Sequence, residues 1–186
     1  PDIKTPACAM DALQNFHEEI LEYSPSQGIK SLRTKMVGYY AEYGIDLSPD
    51  EIIITTGGSE AIMFAYMACL NPGDEMIILE PHWPNYTNMV KMCGAVPKYV
   101  NYLGEDNVKN LTQNIEKAIT DKTKAIIINS PSNPTGVVLP FKKLEEIAEI
   151  TKKYNLWVIA DEVYHTIVFD GSFRSILEIP DMKERT

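Results

Sequence analysis

"NSPSNPTG" at residues 129–136 and "ADEVY" at residues 160–164 decide the fold of this chain. Each motif stands at the end of a short apolar run, 125–128 for the first and 156–160 for the second. Continuous apolar runs of this length are typical of strands that are buried on both faces of a parallel sheet. The polar residues of both motifs therefore follow the carboxyl ends of strands, where open α/β sheets bind their ligands.

Helix and strand patterns alternate along the rest of the chain. Apolar spacing of three and four residues predicts amphipathic helices over 9–21 and 29–43. A β-branched strand over 52–55 is followed by a glycine turn and a helix over 60–70. The remaining predicted strands cover 76–79, 96–102, 125–129 and 157–160, and the remaining predicted helices cover 86–92, 111–119 and 141–154. This alternation predicts an α/β fold, a three-layer sandwich with a mostly parallel central sheet and right-handed crossovers.

Composition excludes several classes of function. The chain has 186 residues, of which 45% are hydrophobic and 23% charged, as in ordinary globular domains. Its net charge of −9 argues against nucleic acid as a partner. No apolar run approaches the length of a bilayer span, so no membrane association is predicted. Three widely spaced cysteines fit reduced thiols in a cytosol, and three scattered histidines give little support for a metal site. We therefore expect a cytoplasmic protein without a catalytic metal.

The glycine turn before the 60–70 helix is a candidate anion site. Gly57 and Gly58 would let the backbone approach a ligand closely, and Ser59 opens a helix whose first amides lack partners and carry positive dipole charge. A phosphate group is well suited to such a helix start. The turn is neither Gly-x-Gly-x-x-Gly nor a P-loop, and a plain tight connection with a serine cap explains it about equally well.

Four side chains near the predicted sheet edge are candidate ligand contacts. Asp161 should emerge at the carboxyl edge, where its charge needs a cationic or protonated partner. Tyr164, three residues later, falls on the same side if a helical turn follows. Asn133 lies in a proline-stiffened loop with an amide free to donate, and the Trp83 indole offers a face for a planar ring. The structural alternatives are a helix cap, a packing aromatic, an Asx turn and a core anchor, respectively.

Taken together, these motifs resemble a known family. The order and spacing are similar to those of the class I/II aminotransferases, the fold type I enzymes of the aspartate aminotransferase type that use pyridoxal 5′-phosphate (PLP). Five ordered matches cover nearly the whole chain, which makes chance a poor explanation. In chain order they are Tyr23…Gly28…Leu32-Arg33, Thr56-Gly57-Gly58-Ser59-Glu60-Ala61, Pro72-Gly73-Asp74, Ser130-Pro131-Ser132-Asn133-Pro134-Thr135-Gly136 and Asp161-Glu162-Val163-Tyr164.

The resemblance implies a cofactor and a domain plan. It implies that Gly57, Gly58 and Ser59 hold the phosphate of PLP and that Trp83 stacks on its ring. Residues 46–186 would form part of the PLP-binding large domain, with 1–45 as an N-terminal helical segment leading into it. The small C-terminal domain and the segment with the Schiff-base lysine would be absent from the chain.

The resemblance also assigns the ring contacts and a quaternary state. Asn133 and Tyr164 would hydrogen-bond the phenolic oxygen of the ring, and Asp161 would face the pyridine nitrogen, so Asp161 and Tyr164 would take part in catalysis. An ionised Asp161 keeps that nitrogen protonated, which makes the ring a better electron sink. Tyr23 would reach the phosphate of the neighbouring subunit in a homodimer, although a surface aromatic at a helix end would look the same.

The covalent anchor of the cofactor has no counterpart in the sequence. The family's lysine stands in a Ser-x-x-Lys element that follows the segment ending near Thr186, and no such element occurs here. Lys142, Lys143, Lys152 and Lys153 lie on a predicted helix with a solvated face, and Lys183 lies in a terminal turn. The chain alone is therefore expected to be inactive, even if it binds PLP weakly and reversibly.

Several functions remain open at this stage. The leading prediction is an aminotransferase of amino acid metabolism, active in biosynthesis, whose partners are an amino acid and a 2-oxo acid. The first alternative is a fold type I lyase or synthase, and the second is a non-catalytic PLP-fold regulatory domain. Arg33, Arg174 and Arg185 do not match the arginine that binds the substrate carboxylate in the family, so the amino acid cannot be read from the sequence.

Overall fold

The protein has an α/β architecture. A computed structural model describes residues 2–186, which contain seven α-helices and four β-strands. Short 3-10 turns cover Pro49–Glu51, Ile176–Glu178 and Lys183–Arg185. The helices are α1 (Ala7–Gln14), α2 (Lys30–Ala41), α3 (Gly58–Cys69), α4 (Asn85–Met92), α5 (Glu105–Lys109), α6 (Leu111–Ala118) and α7 (Phe141–Lys153), and the strands are β1 (Glu75–Glu80), β2 (Val96–Asn101), β3 (Thr123–Asn129) and β4 (Trp157–Asp161).

The four strands form one sheet in which every pairing is parallel. Their order is β2-β1-β3-β4, so β3 lies between β1 and β4. Asn129, the last residue of β3, is in register with Asp161, the last residue of β4. The motifs at residues 129–136 and 160–164 therefore start side by side at the carboxyl edge of the sheet.

Helices cover both faces of the sheet, which confirms the predicted three layers. Because side chains alternate along a strand, Ile126 and Ile128 face one side and Ile127 faces the other. The first side packs in a core with α6 and α7 and the second packs with α3 and α4. Continuous burial of residues 76–79 in β1 and 125–128 in β3 explains why these stretches are apolar throughout.

One strand predicted from the sequence is wrong. Residues 52–55 are not a strand, because a strand requires a ladder neighbour and none of the described strands pairs with this segment. The Ile54 amide instead donates to the carbonyl oxygen of Gln27, at 3.0 Å. Gly28 permits this approach, since its φ is +92° and a Cβ there would lie 2.6 Å from the Cβ of Ile54.

The N-terminal helix is shorter than its apolar spacing predicts. It ends at Gln14 instead of residue 21, and none of its residues is buried. A short helix without tertiary packing has little to stabilise it, so periodicity alone did not extend it. The helix predicted from residue 60 begins earlier, at Gly58, because Gly57 takes up a left-handed conformation, with φ +83°, and ends the extended segment.

A search of residues 2–186 for membrane spans finds no helix that combines enough length with enough apolar character to cross a bilayer.

Candidate functional site

An open cleft lies at the carboxyl edge of the sheet, where β1 and β3 end. Its volume is about 300 Å³ when the mouth is included. Side chains that follow β1 line one side, and residues that follow β3 line the other. The polar and aromatic lining residues are His82, Tyr86, Tyr102, Asn129, Ser132 and Asn133. The cleft thus occupies the position at which open α/β sheets bind ligands.

The Asp161 carboxylate is held at this edge by two donors. The Tyr86 hydroxyl donates to Oδ2 at 2.6 Å, and the Val163 backbone amide donates to Oδ1 at 3.2 Å. Burial, together with the hydrogen bond and the charge of Asp161, raises the pKa of Tyr86 well above its ordinary value. Tyr86 therefore stays protonated and orients the carboxylate as a donor. Each carboxylate oxygen keeps a lone pair for a further partner.

Asn133 and Tyr164 are brought together as the sequence predicts. The Asn133 Nδ2 and the Tyr164 hydroxyl lie 3.5 Å apart, although 31 residues separate them in the chain. Both side chains are partly buried. Since an amide nitrogen and a phenol can both donate, the pair can bind a single oxygen atom of a ligand from two directions.

A buried hydroxyl network fixes the loop that carries Asn133. The Tyr102 side chain is only 3% exposed, and its hydroxyl lies 2.7 Å from the Ser132 Oγ and 2.7 Å from the Thr135 Oγ1. The Ser130 Oγ also accepts from the Leu139 amide at 2.9 Å. These bonds within a low-dielectric interior make the loop a rigid support rather than a mobile segment.

The glycine turn has the form expected of an anion site. Gly57 has φ +83°, and a Cβ on Gly57 or Gly58 would meet no atom within 4 Å. Gly57, Gly58 and Ser59 are exposed, and the first amides of α3 have no acceptor within the helix. The Glu60 carboxylate bonds the Thr56 amide at 2.5 Å, on the extended side of the turn. The open space and the helix dipole together suit a phosphate group.

Of the predicted site residues only Asn133 lines the cleft itself. Asp161 and Tyr164 contact its lining residues Tyr86 and Asn133, whereas Trp83 and Tyr23 do not meet the cleft in the single chain. Trp83 is half-buried, with its ring edge-on to Tyr86 at a centroid distance of 5.4 Å, and it is not among the residues that line the cleft. Tyr23 is fully exposed. The roles predicted for these two aromatic residues stay predictions.

Three residues at this edge were not predicted from the sequence. They are Tyr86, Tyr102 and Asn129, which contact or support the predicted site residues. Each has an ordinary explanation in the sequence: Tyr86 lies in the first turn of a helix, Tyr102 at the end of a strand, and Asn129 is a polar residue after an apolar run. A signal for Tyr86 was available, since it lies three residues after Trp83. Nothing in the sequence pairs Tyr102 with the 132–135 loop.

The arginines and the candidate lysines serve structural contacts. Arg33 is buried against the carbonyl oxygens of Gly28 and Pro49, and Arg174 pairs with Glu178. Arg185 donates to the Thr151 carbonyl oxygen. Four of the five candidate lysines pair with carboxylates, and no lysine of the described chain lines the cleft; the four are Lys143, Lys152, Lys153 and Lys183. Within residues 2–186 no three metal-ligating side chains form a group.

Glu162, next to Asp161, points into a separate buried position. Its carboxylate accepts from the Ser175 hydroxyl at 2.8 Å. Burial raises the pKa of Glu162 to about 7, and the negative charges of Glu178 and Asp161 add to the effect, while the Ser175 hydroxyl and the Ile176 amide act against it. Glu162 is therefore largely protonated in the folded protein below neutral pH.

We expect the stability of the fold to fall as pH rises through this range. In the unfolded chain Glu162 titrates near its ordinary value, so the native state binds more protons between roughly pH 4.5 and 7. The free energy of unfolding should drop by at most about 3.5 kcal/mol across that window, at about 1.4 kcal/mol per pKa unit. Urea unfolding at pH 5 and pH 8 measures the drop, and Glu162→Gln should flatten it; an unchanged pH slope in that variant would contradict the assignment.

Comparison with known proteins gives a consistent family. The model of the family described as "Aminotransferase class I and II" matches residues 1–186. A curated relative, aspartate aminotransferase from Bacillus sp. (strain YM-2), is 37% identical over 92% of the chain and 44% of its own length. The chain thus spans about half the length of the curated relatives it matches.

Solved structures agree with the sequence relatives. The chain is similar to the aromatic aminotransferase from Pyrococcus horikoshii OT3, with a TM-score of 0.90 and 35% identity over all of this chain and 50% of that one. It is also similar to the N-succinyldiaminopimelate aminotransferase from Mycobacterium tuberculosis, with a TM-score of 0.88 and 33% identity over 100% of this chain and 50% of that one. The shared fold is therefore that of aminotransferases named for different substrates.

Proposed function

The chain belongs to the class I and II aminotransferases, and on that premise we propose that the protein containing it is a PLP-dependent aminotransferase that exchanges an amino group between an amino acid and a 2-oxo acid. The observation that carries this proposal is the convergence of Asn133, Tyr164 and Asp161 at one edge of the sheet. A fold type I lyase or synthase, or a regulatory PLP-fold domain, is not favoured, because the relatives found carry aminotransferase names.

The side chains present fit the chemistry of the cofactor. Its ring carries an oxygen that accepts hydrogen bonds, and the Asn133 amide with the Tyr164 hydroxyl forms a donor pair. Its pyridine nitrogen, when protonated, needs an acceptor, and the Asp161 carboxylate is oriented with lone pairs to spare. Its phosphate suits the exposed amino end of α3, where Gly57, Gly58 and Ser59 leave open space.

The chain's residues would orient the cofactor and control one proton. When bound, PLP supplies an electron sink for the negative charge that develops at the substrate Cα. Asp161 would hold a proton on the ring nitrogen, and Tyr86 keeps the Asp161 carboxylate aimed through its 2.6 Å hydrogen bond. Asn133 and Tyr164 would fix the rotation of the ring about its phosphate anchor. Trp83 would cover one face of the ring.

We further propose a homodimer in which Tyr23 reaches the phosphate of the neighbouring subunit. Support comes from the N-terminal segment, where α1 buries no residue and large apolar side chains are exposed, Phe16 at 56%, Ile20 at 75% and Leu21 at 80%. Exposed apolar side chains grouped in one segment favour an interaction site there. A monomer mass from light scattering of the full-length protein would refute the dimer.

The domain plan and the cellular context are proposals of the same kind. We propose that residues 46–186 form part of the PLP-binding domain and that 1–45 lead into it. None of the five candidate lysines lines the cleft, so we infer that none of them bonds the cofactor covalently. A cytoplasmic enzyme of amino acid biosynthesis is consistent with the cysteine usage described above.

The proposed reaction is tested with the full-length protein. Incubation with PLP, 2-oxoglutarate and a panel of amino acids, aspartate, phenylalanine, tyrosine and alanine among them, should produce glutamate and the matching 2-oxo acid. Omission of PLP after its removal from the protein serves as the control. Release of ammonia, or a cyclised product without glutamate, would instead favour a lyase or synthase and contradict the proposal.

A further inference from the structure

Asn129 bridges the two segments that carry the proposed ring contacts. It is the last residue of β3, in register with Asp161 of β4. Its Nδ2 donates to the backbone oxygen of Asp161 at 2.9 Å, and its Oδ1 accepts from the backbone amide of Asn133 at 2.7 Å. One carboxamide therefore ties the start of the Asn133 loop to the end of the neighbouring strand.

Both ends of this carboxamide have a determined partner. A backbone carbonyl can only accept and a backbone amide can only donate, so the Asn129 side chain has a single satisfactory orientation. The Ser130 amide donates to the same Asp161 oxygen at 3.3 Å, which reinforces the link. Asn129 also lines the cleft and is only partly exposed, so its two bonds are shielded from bulk water.

We propose that Asn129 is a positioning residue for the cofactor. Its side chain holds Asn133 and Asp161 in a fixed position relative to each other. The inference rests on the proposed function of the same site. The bond to the Asn133 backbone amide fixes the backbone position from which the Asn133 side chain extends. The bond to the Asp161 backbone oxygen fixes the backbone position of Asp161 in the same way. A displacement of such groups by about 1 Å is enough to cost a large factor in activity or binding.

Three single variants of the full-length protein test this proposal. Asn129→Asp keeps the shape and the acceptor for Asn133 but turns an oxygen toward the Asp161 carbonyl, and Asn129→Ala removes both bonds. Asn107→Ala is the matched control, because its Nδ2 also donates to a backbone oxygen, that of Leu103 at 2.7 Å, but on α5, away from the cleft lining. Equilibrium dialysis of the apoprotein gives the PLP dissociation constant, and thermal unfolding without PLP gives the stability.

We expect the PLP dissociation constant to rise about tenfold in both Asn129 variants and to stay unchanged in Asn107→Ala. In an Asn133→Ala background the effect of Asn129→Ala should shrink to about threefold or less, since one of the groups it places is gone. If Asn129→Ala fails to fold, the isosteric Asn129→Asp carries the test.

Two results would overturn the inference. In the first, both Asn129 variants melt at lower temperature but bind PLP like the wild type. In the second, the effect of Asn129→Ala is undiminished in the Asn133→Ala background. Failure of the wild-type protein itself to bind PLP is a different result, which would remove the proposed function and this inference with it.

Discussion

Asp161→Ala in the full-length protein is expected to lower the rate of amino-group transfer by about two to three orders of magnitude, the effect typical of removing a preorganised electrostatic partner. The loss should fall on turnover, because the phosphate and ring-oxygen contacts remain and PLP should still bind within about tenfold of the wild-type affinity. Single-turnover kinetics at saturating PLP, together with the PLP dissociation constant, separate the two quantities.

Two further variants sharpen this result. Asp161→Asn keeps the shape and one acceptor oxygen, for either the Tyr86 hydroxyl or the Val163 amide, but lacks the charge, so it should be nearly as slow as Asp161→Ala. Asp121→Ala removes an exposed carboxylate just before β3, at the opposite edge of the sheet, and should leave the rate unchanged. Near-normal turnover in both Asp161 variants would contradict the role assigned to this carboxylate.

The polypeptide 1–186 alone is expected to show no transamination and no covalent PLP adduct. The lysine side chains of α7 and of the terminal turn pair with carboxylates or face solvent, and none lines the cleft. Reversible, weak PLP binding through the phosphate and ring contacts should survive. Borohydride reduction followed by mass spectrometry measures the adduct directly, because reduction makes a lysine–pyridoxal bond permanent.

The full-length protein treated in the same way is the positive control and should gain one pyridoxyl group per chain. Far-UV circular dichroism of the polypeptide establishes that it is folded before the test. A reduced adduct on one defined lysine of residues 1–186, or measurable glutamate formation by this polypeptide, would contradict the expectation.

The sequence predicted most of the sheet and the convergence of Asn133, Tyr164 and Asp161. The strands were predictable because the apolar runs before both motifs are typical of buried strands, and parallel strands end at a common edge. Ile52 to Thr55 has equally strong β propensity, yet it is not a strand. β propensity measures how well a side chain fits the surface of a sheet, and this segment has no described strand beside it.

The supporting contacts were not predictable for a different reason. Asn129 and Tyr102 act through hydrogen bonds to residues that are far away in the chain or belong to the backbone, and such bonds leave no periodic pattern. The contact proposed for Tyr23 lies outside a single chain, because its proposed partner belongs to a second subunit.

The central claim, that one edge of this sheet holds PLP, is tested most directly by a crystal structure of the full-length protein grown with the cofactor. We expect a phosphate at the amino end of α3 and a ring that contacts Asn133, Tyr164 and Asp161. A cofactor bound elsewhere, or one whose ring nitrogen faces away from Asp161, would contradict it.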